Sequence, residues 1–439
     1  MSLKRRLSVV PFIVLIVISI ACLIFPDLPN TINTEGTNGG DIAWMLTSTA
    51  LVMLMTPGLA LFYGGMVNSK NIISTMLQSF ICMGVISALW VVVGFSIAFG
   101  PSVNGFFGNP TSYFMFHNVL EAKPWTFAPT IPFVVFALFQ IKFAVITPAV
   151  IAGSFSERIR FTSYILFVCL FSLFIYAPIA HWVWHPDGFL FKKGVLDFAG
   201  GTVVEIASGF SALAAAIYLG KKESGKSESS PANIPLVLLG AGLLWFGWFG
   251  FNAGSSYGAN SLAATAFATT NTAAAAAGLG WMFFDTVRGK KPSALGFCIG
   301  AVVGLVAITP AAGYVSIPIS LFIGFAASII SNLIIGWTSK STIDDTLDVF
   351  PCHGIGGVVG MLLTGIFASK VINSGGADGW YLGNPSLFKS QLIAVGVVVP
   401  FSFFGSLLIL KITDLISPLK ATQEEREIGL DITQHGETI

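Results

Sequence analysis

The feature that most limits what this chain can become is a succession of apolar runs, each about 20 residues long and almost free of charge. They lie at 41–66, 72–100, 127–153, 160–183, 200–220, 233–254, 257–287, 293–313, 317–338, 351–369 and 389–416. In hydrocarbon a backbone must satisfy its hydrogen bonds internally, so runs of this length fold as helices. Only 10% of the 439 residues are charged and the mean hydropathy is +0.81, against about 25% charge in soluble domains. The reading is an all-α polytopic membrane protein with eleven spans. "GLALFYGG" and "NTAAAAAGLG" supply the small residues that let helices approach closely in lipid.

Lys4-Arg5-Arg6 precedes the apolar run from Val9 to Phe25. This pattern fits a signal peptide or a retained N-terminal hydrophobic segment over 1–25, followed by an extracytoplasmic segment over 26–40. Basic residues set the orientation. With Asp41 outside, thirteen fall on the cytoplasmic side (Lys70, Arg158, Arg160, Lys221, Lys222, Lys226, Arg288, Lys290, Lys291, Lys340, Lys411, Lys420 and Arg426). Five fall outside: Lys123, Lys192, Lys193, Lys370 and Lys389. The expected topology is N-outside and C-cytoplasmic, in a cell (inner) membrane, with a transmembrane domain over 41–417 and a cytoplasmic tail over 418–439. Beyond the three N-terminal residues, one base is left over, Lys142 inside the third span.

The remaining composition argues mostly by exclusion. Net charge is +1, which gives no reason to expect a nucleic-acid partner. The five cysteines sit in apolar stretches without paired spacing, and no cluster of metal ligands or cofactor motif appears. Neither the loop from Lys221 to Asn233 nor the tail is long enough to be an enzyme domain, so no enzyme, metal or cofactor is expected. A weak internal symmetry is visible: Asp197 precedes Glu205 by eight residues, and Asp345 precedes His353 by eight. Five spans lie between the pairs, as an inverted-topology repeat would give.

The string "DIAWMLTSTALVMLMTPGLALFYGGMVNSKN" from Asp41 to Asn71 resembles the opening of the ammonium transporter family. "FSERIRF", "DFAGGTVV", "WFGWFGFNAGS", "DDTLDVFPCHGIGGVVG" and "EEREIGLDITQHGE" follow in family order. The resemblance implies two inverted five-helix repeats plus a final helix, assembled as a homotrimer with one pore per subunit. It also implies an outer cation site at Trp184 and Ser255 with Phe143 below, a gate of Phe143 and Phe251, and a lumen with two histidine positions. At the second of these stands His353; at the first stands Glu205, as in some fungal members. PII-family regulatory proteins can dock on the cytoplasmic face in this family, and Gly429 and Asp431 belong to the tail that couples subunits.

The chemistry suits these residue types. Ammonium matches potassium in charge and size, and differs in donating directional hydrogen bonds and in being able to lose a proton. Aromatic faces contribute about 0.5–2 kcal/mol of cation–π attraction, and a hydroxyl accepts from the bound ion. A buried carboxylate costs roughly 2.5–3.5 kcal/mol and needs a partner. For Glu205 two are open: His353, forming a proton-sharing pore relay, or Lys142, forming an ion pair that would block the pore. Lys142 could instead snorkel or meet a subunit contact.

Asp197 reads as a helix cap supporting the outer site, and Asp344, Asp345 and Asp348 read likewise at the other end. Trp182 reads as an interface aromatic. His181 reads as a satisfied helix-end residue, His117 and His185 as outer-loop residues, Asp285 as a partner of Arg288, and Gln140 as hydrogen-bonded within the bundle. The leading function is a transmembrane ammonium transporter or channel passing ammonia plus a proton. An ammonium sensor that signals through the tail is the alternative.

Overall fold

The computed structural model describes residues 3–24, 29, 31–221 and 231–439. Lys222 and Lys226, most of the Lys221 to Asn233 loop, and residues 25–28 and 30 around the start of the extracytoplasmic segment lie outside the described residues. Among the described residues nine helices are long and apolar enough to span: Gly39–Met66, Ser69–Phe99, Phe133–Phe155, Phe161–Trp184, Gly201–Leu219, Ile234–Gly254, Ile317–Thr338, Phe350–Phe367 and Pro385–Ile416. Ser261–Val287, diluted by alanine and threonine, and the shorter Ala294–Ile308 complete the eleven expected. Ordinals below number these eleven in chain order.

The two largest departures from the hydropathy reading are at prolines. The third span begins at Phe133 because Pro132, at φ −57° and ψ 145°, holds the preceding chain extended. The eighth ends at Ile308, two residues before Pro310. A further helix, Leu3–Ile24, precedes the bundle and leaves apolar side chains such as Phe12 and Leu23 exposed.

The fifth and tenth spans meet at the centre, and glycine makes their approach possible. A Cβ on Gly209 would lie 2.0 Å from the backbone nitrogen of Gly354, so any side chain there would separate the helices. Each of the two spans opens with a wide, π-helical turn, Gly201–Ile206 and Phe350–Ile355, a local form often found at functional sites. Glu205 sits in the first and His353 in the second.

Each wide turn is capped by the aspartate eight residues before its pore residue. Asp197 Oδ1 accepts from the amides of Gly200 (2.8 Å) and Gly201 (2.6 Å), and Oδ2 from those of Thr202 (2.7 Å) and Val203 (3.4 Å) and from the Thr202 hydroxyl. Asp345 Oδ2 accepts from the Phe350 amide at 2.6 Å. The eight-residue spacing seen twice in the sequence is therefore one device used twice: a carboxylate fixing the start of a wide turn that carries the pore residue.

Candidate functional site: an apolar conduit

The mouth of the conduit is built on the loop before the fifth span. The indole of Trp184 donates from Nε1 to the carbonyl of Asp197 at 3.1 Å, so the residue that caps the fifth span also holds the tryptophan. Phe143 stands edge-on to Trp184, centroids 5.7 Å apart and planes at 85°. Its other side lies against Phe251, with centroids 4.4 Å apart and planes at 39°. One turn beyond Phe251, the Ser255 hydroxyl donates to the Phe251 carbonyl at 2.9 Å. Its oxygen keeps lone pairs for an incoming donor.

Trp184, Phe143 and Phe251 thus make ring contacts in series, and Ser255 joins them through the Phe251 carbonyl. Phe143 is only 1% exposed and Phe251 is fully buried. Neither ring opens to bulk water, and Phe251 also lines the void below.

Below the two rings lies a narrow void lined by Met55, Leu59, Phe62, Ile146, Val150, Val204, Leu244, Trp248 and Val302, with Glu205 and His353 its two titratable groups. A second void continues past His353 between Tyr63, Met66, Ile299, Leu347 and Cys352. Each holds about 10 Å³, room for about one water-sized molecule. An apolar wall of this kind strips a cation of its hydration and offers little in return. It suits a small neutral solute.

Glu205 and His353, 1% and 4% exposed, are in direct contact: His353 Nδ1 and Glu205 Oε2 are 2.7 Å apart. With the carboxylate ionised, Nδ1–H donates; with the proton on the carboxyl, the carboxyl donates to Nδ1. One proton can therefore occupy either end of this bond.

Lys142 does not complete an ion pair with Glu205. Its Nζ donates to the thioether of Met53 at 3.2 Å, on the outer surface of the bundle. The reason is azimuth: residues adjacent on a helix point about 100° apart, so with Phe143 turned into the pore, Lys142 turns out of it. The blocking-cation reading is corrected accordingly.

Asp285 is also reassigned. The chain reverses after Val287 through Gly289 at φ +82°, and this returns Lys290 to Asp285 at 2.9 Å. Arg288 instead donates to Asn332 at 2.9 Å. His181 is satisfied at both nitrogens, by Ser102 (2.7 Å) and the Ala98 carbonyl (2.9 Å). Gln140 donates to the Tyr257 hydroxyl at 3.0 Å. Sequence reasoning missed Trp248, which lines the void with its indole donating to Thr309 at 2.9 Å. Its only signal was a second tryptophan in "WFGWFGF".

At the tail end, Arg158 ties the pore helices together. It donates to the carbonyls of Ser154 (2.6 Å), Gly220 (2.8 Å) and Asp344 (2.6 Å). The tail itself caps the second span of the same protomer: Asp431 accepts from the amides of Ile73 (3.1 Å) and Ser74 (2.7 Å), and the Asn71 side chain accepts from the Leu430 amide at 2.9 Å. Gly429, at φ +116°, crosses over the carbonyl of Lys70, where a Cβ would lie 2.7 Å from the oxygen.

Among the described residues, eleven spanning helices surround a narrow apolar conduit that holds one buried carboxylate–imidazole contact, the architecture of a membrane transporter. The comparisons give the family. Residues 43–439 match the Ammonium Transporter Family model, and the chain belongs to that family. It is 46% identical to the ammonium transporter of Bacillus subtilis (strain 168) over 91% of this chain and 98% of that protein. Mep2 of Candida albicans superposes with a TM-score of 0.84 at 34% identity, covering 89% of this chain and 88% of that one. A sensor Amt protein superposes with a TM-score of 0.81 at 30% identity, covering 90% and 98%.

Proposed function

We propose that this chain is a transmembrane ammonium transporter, not an enzyme, which takes up ammonium at the Trp184 mouth and passes it as ammonia plus a proton. The observation that carries the proton step is the 2.7 Å contact between Glu205 and His353 inside an otherwise apolar void. Ammonium meets the faces of Trp184 and Phe143 and donates to Ser255. As it passes Phe143 and Phe251 its proton goes to the Glu205–His353 pair, and the neutral ammonia continues along the apolar wall. The proton moves through the Glu205–His353 pair, whose bond accepts it at one end and releases it at the other. Asp197 positions both the mouth and the fifth span without touching the solute.

The same reading places the Trp184 mouth outside and the tail in the cytoplasm, follows the family to a homotrimer, and leaves the tail face as the docking place for a PII-family regulator. Residues 1–25 act as a signal peptide or as an additional anchoring segment. The relationship to a sensor Amt protein keeps sensing as the alternative use of the fold. Proteoliposomes given an ammonium pulse separate the two. A transient current with ammonium and none with potassium is expected of the transporter; tight ammonium binding without current would replace it with the sensor.

A further inference from the structure

One residue beside the mouth holds a backbone shape that its own side chain disfavours. Tyr257, two residues beyond Ser255, lies at φ 57°, in the left-handed region where a bulky residue is an outlier and glycine or asparagine is usual after a helix. The end of the sixth span requires that shape. The Ser255 amide donates to the Asn252 carbonyl at 3.1 Å and the Tyr257 amide to that of Gly254 at 2.9 Å, so the last turn tightens before the chain swings away. Glycine would adopt this conformation without strain. A strained residue persists only where its surroundings over-determine it, and such residues gather at functional sites.

What over-determines Tyr257 is the third span. Its ring lies against Phe136, centroids 5.6 Å apart, and stands edge-on to Phe139 at 6.1 Å with planes at 84°. Its hydroxyl accepts from Gln140 Nε2 at 3.0 Å. The Gln140 side-chain oxygen is buried and has no hydrogen-bond partner among the described residues, so the Tyr257 bond alone fixes this amide. Phe136, Phe139, Gln140 and Phe143 are spaced i, i+3, i+4 and i+7, which puts them on one face of the helix. Phe139 is in turn edge-on to Phe143, centroids 4.9 Å apart and planes at 69°. It also covers Gly254, next to Ser255, where a Cβ would lie 2.9 Å from the Phe139 ring.

Ser255 and Phe143 belong to different spans, and Tyr257 ties the turn that carries one to the helix face that carries the other. We propose that Tyr257 is a positioning residue of the outer cation site: it clamps the end of the sixth span onto the third, so that one ammonium ion meets the Phe143 ring and the Ser255 hydroxyl together. The inference rests on the outer site of the preceding section and adds the residue that holds its two walls at a fixed separation. A cation–π contact acts within about 6 Å of the ring centroid, and a hydrogen bond to a hydroxyl within about 3 Å. A small drift of the Ser255 turn therefore sacrifices one contact or the other. The Glu205–His353 pair lies below the rings and takes no part in the clamp, so the clamp governs how tightly ammonium is held at the mouth, not how fast the conduit passes it.

The test uses the full chain, with ammonium chloride titrated against the current of proteoliposomes and, calorimetrically, against the protein in detergent. Tyr257→Gly suits the backbone and removes the clamp. It is expected to raise the half-saturating ammonium concentration about fivefold or more in both titrations, the equivalent of about one lost hydrogen bond. Maximal current should stay within about twofold of the parent, because the proton pair is untouched. Gln140→Leu and Tyr257→Phe each remove the hydrogen bond and keep an aromatic ring at 257. Each should give a smaller shift in the same direction, and the double variant no more than either alone, since both delete one interaction. A residue that only stabilised the fold would lower Tm and maximal current and leave half-saturation where it is. That result in Tyr257→Gly overturns the proposal, as do single-variant shifts that multiply in the double variant. A parent that binds ammonium without passing current removes the transport reading alone, and the presence or absence of the fivefold calorimetric shift then decides for or against the clamp. A parent that neither binds nor conducts ammonium removes the outer site and the clamp together.

Discussion

At the scale of single residues, this chain shows how far a position in a sequence differs from a direction in space. Trp184, Phe143, Phe251, Glu205 and His353 were all legible, because family motifs fix both the residue and the helix face. Lys142 was not: an adjacent position is rotated by about 100°, and the sequence names no azimuth for a residue that matches no motif. Asp285 failed for a related reason, since its choice between Arg288 and Lys290 depends on the left-handed turn at Gly289. A prediction at this scale concerns Asp348, which lies just before the tenth span. Burial beside Asp345 and Asp344 pushes its carboxyl up to about 8, whereas in the unfolded chain it titrates near 3.9. The folded state holds the proton more tightly, so this group opposes folding increasingly as pH rises from about 4 to about 8. Asp348→Asn removes that penalty. Its gain in Tm over the parent should therefore widen from about pH 5 to about pH 9, and a gain that does not change with pH counts against the assignment.

At the scale of elements, the existence of the eleven spans was legible from hydropathy, since lipid leaves the backbone few other choices. Their ends were less so, because Pro132 and Pro310 stop helices inside continuous apolar sequence. The wide turns of the fifth and tenth spans had no signature beyond the repeated eight-residue spacing, which became interpretable only when both aspartates proved to be caps. Two predictions belong here. Asp197→Ala leaves several amides of the fifth span and the Thr202 hydroxyl without their acceptor, a loss on the order of 3 kcal/mol, and loosens Trp184 through the same loop. Lower Tm together with weaker ammonium recruitment should appear, while a change in neither would remove Asp197 from its supporting role. Gly209→Val forces the fifth span off Gly354, where a Cβ has 2.0 Å to the facing nitrogen. A variant that purifies at parental Tm and conducts ammonium normally would show that this crossing is not as tight as the structure has it.

At the scale of the whole molecule, the tail closes the protomer upon itself. Asp431 caps the second span, and Arg160 holds Glu425 of the tail helix at 3.2 Å. Asp431→Ala should speed hydrogen exchange at Ile73, Ser74 and the tail together, because both lose the same anchor; exchange confined to the tail would mean the second span holds its own end. The larger claim is that an apolar conduit can move ammonium because charge and nitrogen part company as the solute passes Phe143 and Phe251, with Glu205 and His353 carrying the proton. Glu205→Gln tests it most directly, since glutamine keeps the size and can still donate to His353 but cannot take up and release a proton. Ammonium pulses on proteoliposomes should give a current with the parent chain and a loss of at least tenfold with Glu205→Gln, whose Tm stays near that of the parent. A Glu205→Gln current equal to the parental one would contradict the account.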